Sequence, residues 1–181
     1  MIATLDLDRG RGASLACMSF PRIEGVGAGQ WRFRHEHEHA GPVRFIAPGE
    51  ATGREFGLFE SVATPGRPGA IPHLHHGFTE SFYVLSGRLA VMSGRRWQVL
   101  GDGDFAHVPV DGVHAFRAVG DEEARFLILF VPGGPREPYF RGLADLARRA
   151  TPPTEQEIDE LARQNDQVNL RGWESDPVPE R

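Results

Sequence analysis

Between residues 43 and 132 the sequence is divided into short runs rich in β-branched and aromatic residues, each closed by turn residues. This rhythm constrains the fold more than any other feature. The runs are 43–47, 56–63, 81–85, 88–92, 97–100, 105–108, 113–118 and 125–131. Pro48-Gly49, Pro65-Gly66, Ser86-Gly87, Ser93-Gly94, Gly101-Asp102-Gly103-Asp104 and Asp111-Gly112 separate them. Glycine and aspartate reach the backbone conformations that tight reversals demand, and proline cannot donate to a continuing ladder. Short strands at this spacing predict an all-β antiparallel sandwich or barrel. A parallel α/β sheet would need crossover helices between the runs, and none is written there.

The flanks read differently. Residues 1–42 are polar and glycine-rich (Gly25, Gly27, Gly29, Gly41) and read as an N-terminal arm that could supply an exchanged strand to a homodimer. In residues 133–181 the apolar period becomes helical: Tyr139, Leu143 and Leu146 share a face of a helix ending near Ala150. Pro152 and Pro153 then break the chain, and Thr154 with Glu157 three residues on forms a capping box opening a second helix. Residues 170–181, with Pro177 and Pro179, read as a frayed tail. A length of 181 residues, 40% of them hydrophobic, suits one well-cored barrel at 43–132 with this decoration.

Charge and composition exclude several functions. The net charge of −5 lacks the basic excess that a nucleic-acid or membrane-surface partner would require. All 20 basic residues are arginine, so Schiff-base lysine chemistry and a lysine-dependent phosphate loop are ruled out. Cys17 alone can make neither an intrachain disulfide nor a multi-thiolate metal site, which suits a reducing, cytoplasmic setting. The first residues carry Asp6 and Asp8 and lack the apolar run of a signal peptide. No stretch approaches the ~20 apolar residues of a membrane span.

The chemistry concentrates in residues 69–87 and 103–114. His73 and His75 lie two apart, so on a strand both imidazoles leave the same face. Glu80 opens the next run after a short loop containing Gly77, where an antiparallel return could bring it beside them, and His114 opens another run. Three neutral imidazoles and one carboxylate suit a divalent first-row metal. Period two places Phe82 and Val84 on the face of Glu80, and Phe116 and Ala118 on that of His114. With Phe105 these make a candidate substrate wall of Phe82, Val84, Phe105 and Phe116; plain core packing is the competing reading. Glu80, His76 and His107 are the candidate acid–base residues, although His76 and His107 also read as surface positions. Tyr83 points outward.

The pattern His73-x-His75-x4-Glu80-x6-Gly87 resembles the first cupin motif, with the usual leading glycine offset at Gly69. Gly103-x5-Pro109-x4-His114 resembles the second, with Asp111-Gly112 where the family usually has glycine and Ala118 where it often has asparagine. Residues 88–102 separate the two motifs, and the resemblance covers 43–132. It implies a cupin double-stranded β-helix, or jelly-roll barrel, holding one metal through His73, His75, Glu80 and His114. Four protein ligands leave positions open on a five- or six-coordinate ion, which favours Fe(II), with Mn(II), Ni(II), Co(II) or Zn(II) as alternatives.

Other patterns carry less. His35-Glu36-His37-Glu38-His39 satisfies the spacing of a zinc-protease helix, but Gly41-Pro42 follows at once, and the segment reads as a solvated edge or arm. Gly25-x-Gly27-x-Gly29 lacks the strand–turn–helix context of a dinucleotide loop, and there is no Gly-x-Ser-x-Gly elbow. Single-domain metal cupins resembling this chain include quercetinase-like dioxygenases. The first expectation is therefore a dioxygenase using O2 on an enolic or phenolic, flavonol- or polyketide-like, small molecule. The alternatives are a non-redox isomerase, lyase or polyketide cyclase, and a binding module without chemistry.

Overall fold

Alternation is visible in the first full strand: Val43, Phe45 and Ala47 are buried while Arg44 and Ile46 are half-buried. The computed structural model describes residues 38–179. Most of the N-terminal arm, Cys17, the Gly25–Gly29 motif and His35–His37 lie outside the described residues. The strands are β1 (His39–Ala40), β2 (Val43–Ala47), β3 (Gly57–Ala63), β4 (Ala70–Leu74), β5 (Thr79–Ser86), β6 (Leu89–Ser93), β7 (Arg96–Leu100), β8 (Phe105–Val108), β9 (His114–Ala118) and β10 (Ala124–Val131). Helices α1 (Arg136–Ala147) and α2 (Glu155–Gln164) follow, then β11 (Val168–Asn169).

All pairings are antiparallel and form two sheets: β1-β2-β3-β10-β5-β8 with six strands, and β11-β4-β9-β6-β7 with five. This is the all-β antiparallel sandwich that the run spacing predicts, in the jelly-roll form that the resemblance implies. Between the sheets lies an aromatic core in which Phe59 meets Phe45 and Phe140 edge-on at 5.1 Å, and Phe116 lies 5.3 Å from both Phe82 and Phe126. Edge and tilted contacts of this kind stabilise beyond the area they bury.

Two glycines of the motif region are required by contact. Gly87 takes φ 81, and a Cβ there would lie 2.2 Å from the Glu123 carbonyl oxygen. Gly69 lies flush against β9, where a Cβ would come within 1.8 Å of the Phe116 oxygen. The offset glycine is thus fixed by the close approach of β4 to β9.

Helix α1 adds Tyr139, Phe140 and Ala144 to the core, and α2 begins with the expected capping box of Thr154 and Glu157. His39 opens β1 as an exposed residue, and Glu38 before it pairs with Arg141 of α1 at 2.7 Å. The segment read as a frayed tail is instead tied across the β6–β7 hairpin. Trp173 Nε1 donates to the Gly94 oxygen at 2.9 Å, Trp97 Nε1 donates to Ser175 Oγ at 3.1 Å, and the Asp176 amide donates to the Arg95 oxygen at 2.8 Å. Trp97 of β7 and Trp173 of the segment itself thus hold it where composition suggests fraying. Among the described residues no helix is long and apolar enough to cross a membrane.

Candidate metal centre

The site is assembled from both sheets. β4 and β9 run antiparallel with His73 directly opposite His114, so two imidazoles enter the interior from one sheet as cross-strand neighbours, 4.1 Å between ring centres. His75 follows one residue beyond the end of β4. Glu80 comes from the facing sheet, on β5 between Phe130 of β10 and Val108 of β8. Glu80, Phe82 and Val84 are buried on one face of β5, as period two requires.

The four side chains converge, with one ligand atom from each lying within 4.8 Å of all the others. Glu80 Oε2 stands 3.0 Å from His75 Nε2, 3.0 Å from His114 Nε2 and 4.0 Å from His73 Nε2. All four residues are 1–3% exposed. Each imidazole has its other nitrogen occupied: Nδ1 faces the Ile71 oxygen at 2.8 Å in His73, the Asp166 oxygen at 2.6 Å in His75 and the Gly112 oxygen at 2.9 Å in His114. A carbonyl oxygen accepts only, so each ring carries a proton on Nδ1 and turns its Nε2 inward.

Burial, reinforced by the His114 ring, holds the His73 imidazole well below its usual range, and burial also lowers that of His75. Burial by itself would raise the Glu80 carboxyl, but the charge and hydrogen bonds of His114 and His75 bring it well below the ordinary carboxylate range. Burial thus favours the uncharged ring at His73 and His75, while Glu80 stays ionised. Nε2 of His75 and Nε2 of His114 each stand 3.0 Å from Glu80 Oε2, an arrangement that a positive charge among them, a shared proton or a metal ion, satisfies. A divalent cation fits this donor set: nitrogen and oxygen ligands, rings already oriented by carbonyl acceptors, and low dielectric.

The remaining candidates divide. Phe82 is fully buried, 6.2 Å from the His114 ring and in contact with Phe116 and Phe126, and Val84 is fully buried behind it. Phe105 and His107 do not join them. β8 pairs Tyr83 with Phe105, Phe82 with Ala106 and Ser81 with His107, so Phe105 and His107 lie on the outer face with Ser81 and Tyr83. Phe105 is 60% exposed, and His107 Nδ1 lies 2.9 Å from Ser81 Oγ. An inward Phe105 and a proton-shuttling His107 are corrected by that register.

His76 is exposed and pairs through Nδ1 with Asp111 Oδ1 at 2.5 Å. The Asp111 amide donates to the His75 oxygen at 2.8 Å, which ties the pair to the ligand strand. Asp166 is absent from the sequence reading. Besides receiving His75 it accepts the Gly77 amide at 2.7 Å and the His76 amide at 3.3 Å. No local pattern around Asp166 announces a partner some ninety residues earlier. A surface cavity of about 540 Å³ between Gly66–Pro68 and Arg117–Gly120 contains none of the four ligands. The donor chemistry, not that concavity, marks the site.

Comparison with known proteins agrees with this geometry. Residues 59–130 match the Cupin domain family. The chain is 35% identical over 91 residues to quercetin 2,3-dioxygenase of Bacillus subtilis (strain 168), covering 49% of this chain and 26% of the relative. It is 40% identical over 73 residues to polyketide synthase CurC of Streptomyces cyaneus, covering 39% of this chain and 47% of the relative. The chain thus spans half or less of these relatives' length. Among solved structures, KdgF from Halomonas sp. aligns over 54% of this chain and 86% of its own, with 19% identity and a TM-score of 0.46. The three-histidine, one-glutamate ligand set lies within residues 59–130, the part of this chain that matches the Cupin domain family.

Proposed function

We propose that this chain is a metal-dependent dioxygenase acting on an enolic or phenolic small molecule, with Fe(II) as the favoured ion. The observation that carries the reading is the buried carboxylate among three inward Nε2 atoms, beside the ring wall of Phe82 and Phe116. The relationship to quercetin 2,3-dioxygenase supports the oxygenase reading. His73, His75, Glu80 and His114 would hold the ion, which supplies a Lewis-acidic centre and sites where an oxygen-bearing substrate and O2 can meet.

The chain's own residues do the rest. Glu80, ionised in place, accepts the proton of the substrate's enolic hydroxyl, and the surrounding rings keep bulk water from the resulting anion. Phe82 and Phe116 would offer flat apolar surface to a planar substrate, with Val84 packed behind them. His76, exposed and paired with Asp111, is the residue proposed to exchange protons with solvent, a reading its exposure supports.

A second reading rests on the polyketide synthase relative: the same ligands polarise a carbonyl and Glu80 removes a proton, so that a polyketide-like substrate cyclises or eliminates without redox change. An oxygen-electrode assay of the Fe(II)-loaded protein with flavonols and enolic polyketides separates the two. O2 uptake matched to substrate loss, with uptake and bound metal both abolished in His73→Ala, is the expected result. Equal turnover under anaerobic conditions would overturn the dioxygenase in favour of the redox-neutral reaction.

A further inference from the structure

The three imidazoles are held in different ways. His73 and His114 direct Nδ1 to carbonyls two residues back in the chain, at Ile71 on β4 and at Gly112 in the turn before β9. His75 directs its Nδ1 to Asp166, in the loop between α2 and β11. Two ligands are therefore oriented locally, and the third depends on a segment that follows the second helix.

That segment is itself gripped. Arg136, the first residue of α1, is 3% exposed, with its guanidinium carbon 4.2 Å from the Tyr139 ring centre and 5.1 Å from that of Phe130. Its Nη1 donates to the Asn165 oxygen at 3.3 Å and its Nη2 to Gln167 Oε1 at 2.9 Å, one residue to either side of Asp166. Gln167 Nε2 donates in turn to the Tyr139 hydroxyl at 3.0 Å. Asp166, at φ 54, closes the arrangement by receiving the His76 and Gly77 amides on its carboxylate. Phe78, stacked on His75 at 4.4 Å, lies beneath the same guanidinium.

We propose that Arg136 and Gln167 form a positioning clamp that fixes the Asp166 carbonyl, and through it the tautomer and aim of His75. On this account the C-terminal helical segment sets the metal affinity of the barrel. Coupling of this kind is reciprocal, so the ion in turn fastens the segment. The inference rests on the metal-binding part of the functional reading and on no particular reaction.

Zn(II), being diamagnetic, serves as the probe, with affinity from chelator competition and histidine tautomers from ¹⁵N spectra of the full chain. Gln167→Ala and Arg136→Lys are expected to weaken Zn(II) binding by about tenfold or more, the usual effect of removing a group that orients a ligand. The His75 Nδ1–H signature should be lost while those of His73 and His114 persist, and Gln167→Glu, which keeps the acceptor for Arg136, should restore both. Affinity within about twofold of the parent in both variants would overturn the clamp, on the same scale of second-sphere effects. So would a loss shared equally by all three histidines. Failure of the parent to take up zinc would sink the metal site itself, whereas absence of oxygenase activity leaves the clamp intact.

Discussion

Glu60 and Glu80 are both buried carboxylates, and their surroundings assign them different work. Glu80 faces inward among three imidazoles, 3.0 Å from Nε2 of His75 and of His114. Glu60 faces outward on β3, between the Arg44 and Arg125 guanidiniums. Burial would raise the Glu60 carboxyl, but hydrogen bonds from Arg44 and Arg125 bring it below its usual value near 4.5. A folded-state value below the unfolded one gives stability that is complete above the unfolded pKa and is lost as pH falls through the folded value. Glu60→Gln should therefore cost about 1 kcal/mol at pH 7, a modest figure because both arginines are half in water. The melting difference between parent and variant should close as pH drops below 4.5; a constant difference from pH 7 to pH 3 would contradict the assignment. At this scale the sequence was most legible where spacing encodes chemistry: His73, His75, Glu80 and His114 can be read from their intervals. Phe105 could not, because an aromatic in the run Phe-Ala-His-Val reads as inward, while pairing with β5 gives that face to Ala106 and Val108. Parity within a short strand is set by its neighbour.

Among the elements, the strands are legible where alternation and turn residues agree; β4, with Pro72 at its centre, falls outside the runs. Helix α2 was legible because its first turn is written into the sequence: Thr154 Oγ1 receives the Glu157 amide at 3.2 Å, and Glu157 receives the Thr154 amide at 2.8 Å. Thr154→Ala leaves those groups to water and should cost about 1 kcal/mol, seen as a lower urea midpoint with unchanged slope. An unaltered midpoint would mean that packing against α1, where Leu161 meets Gly142, holds the helix without its cap. The two-residue strand β11 is not written in the sequence, nor is the binding of the tail by Trp173 and Asp176. Each depends on a partner distant in the chain, and so short a segment has no periodicity of its own. Asp166 is hidden for the same reason.

For the molecule as a whole, the ligand set joins the two sheets: His73 and His114 from one, Glu80 from the other, and His75 from the turn between them. An ion at that point ties both layers to the α2–β11 segment, and anything that binds only the folded state stabilises it by mass action, about 2.7 kcal/mol at a hundredfold excess over the dissociation constant. Metal removal should accordingly lower the melting temperature and readdition should restore it. The most direct measurement is the metal content of the full chain after reconstitution with Fe(II), Mn(II), Co(II), Ni(II) or Zn(II) and gel filtration, compared with a His73→Ala, His114→Ala double variant. The account predicts one divalent ion per parent chain and none in the variant. Background metal in the parent with every ion, or undiminished metal in the variant, would contradict it.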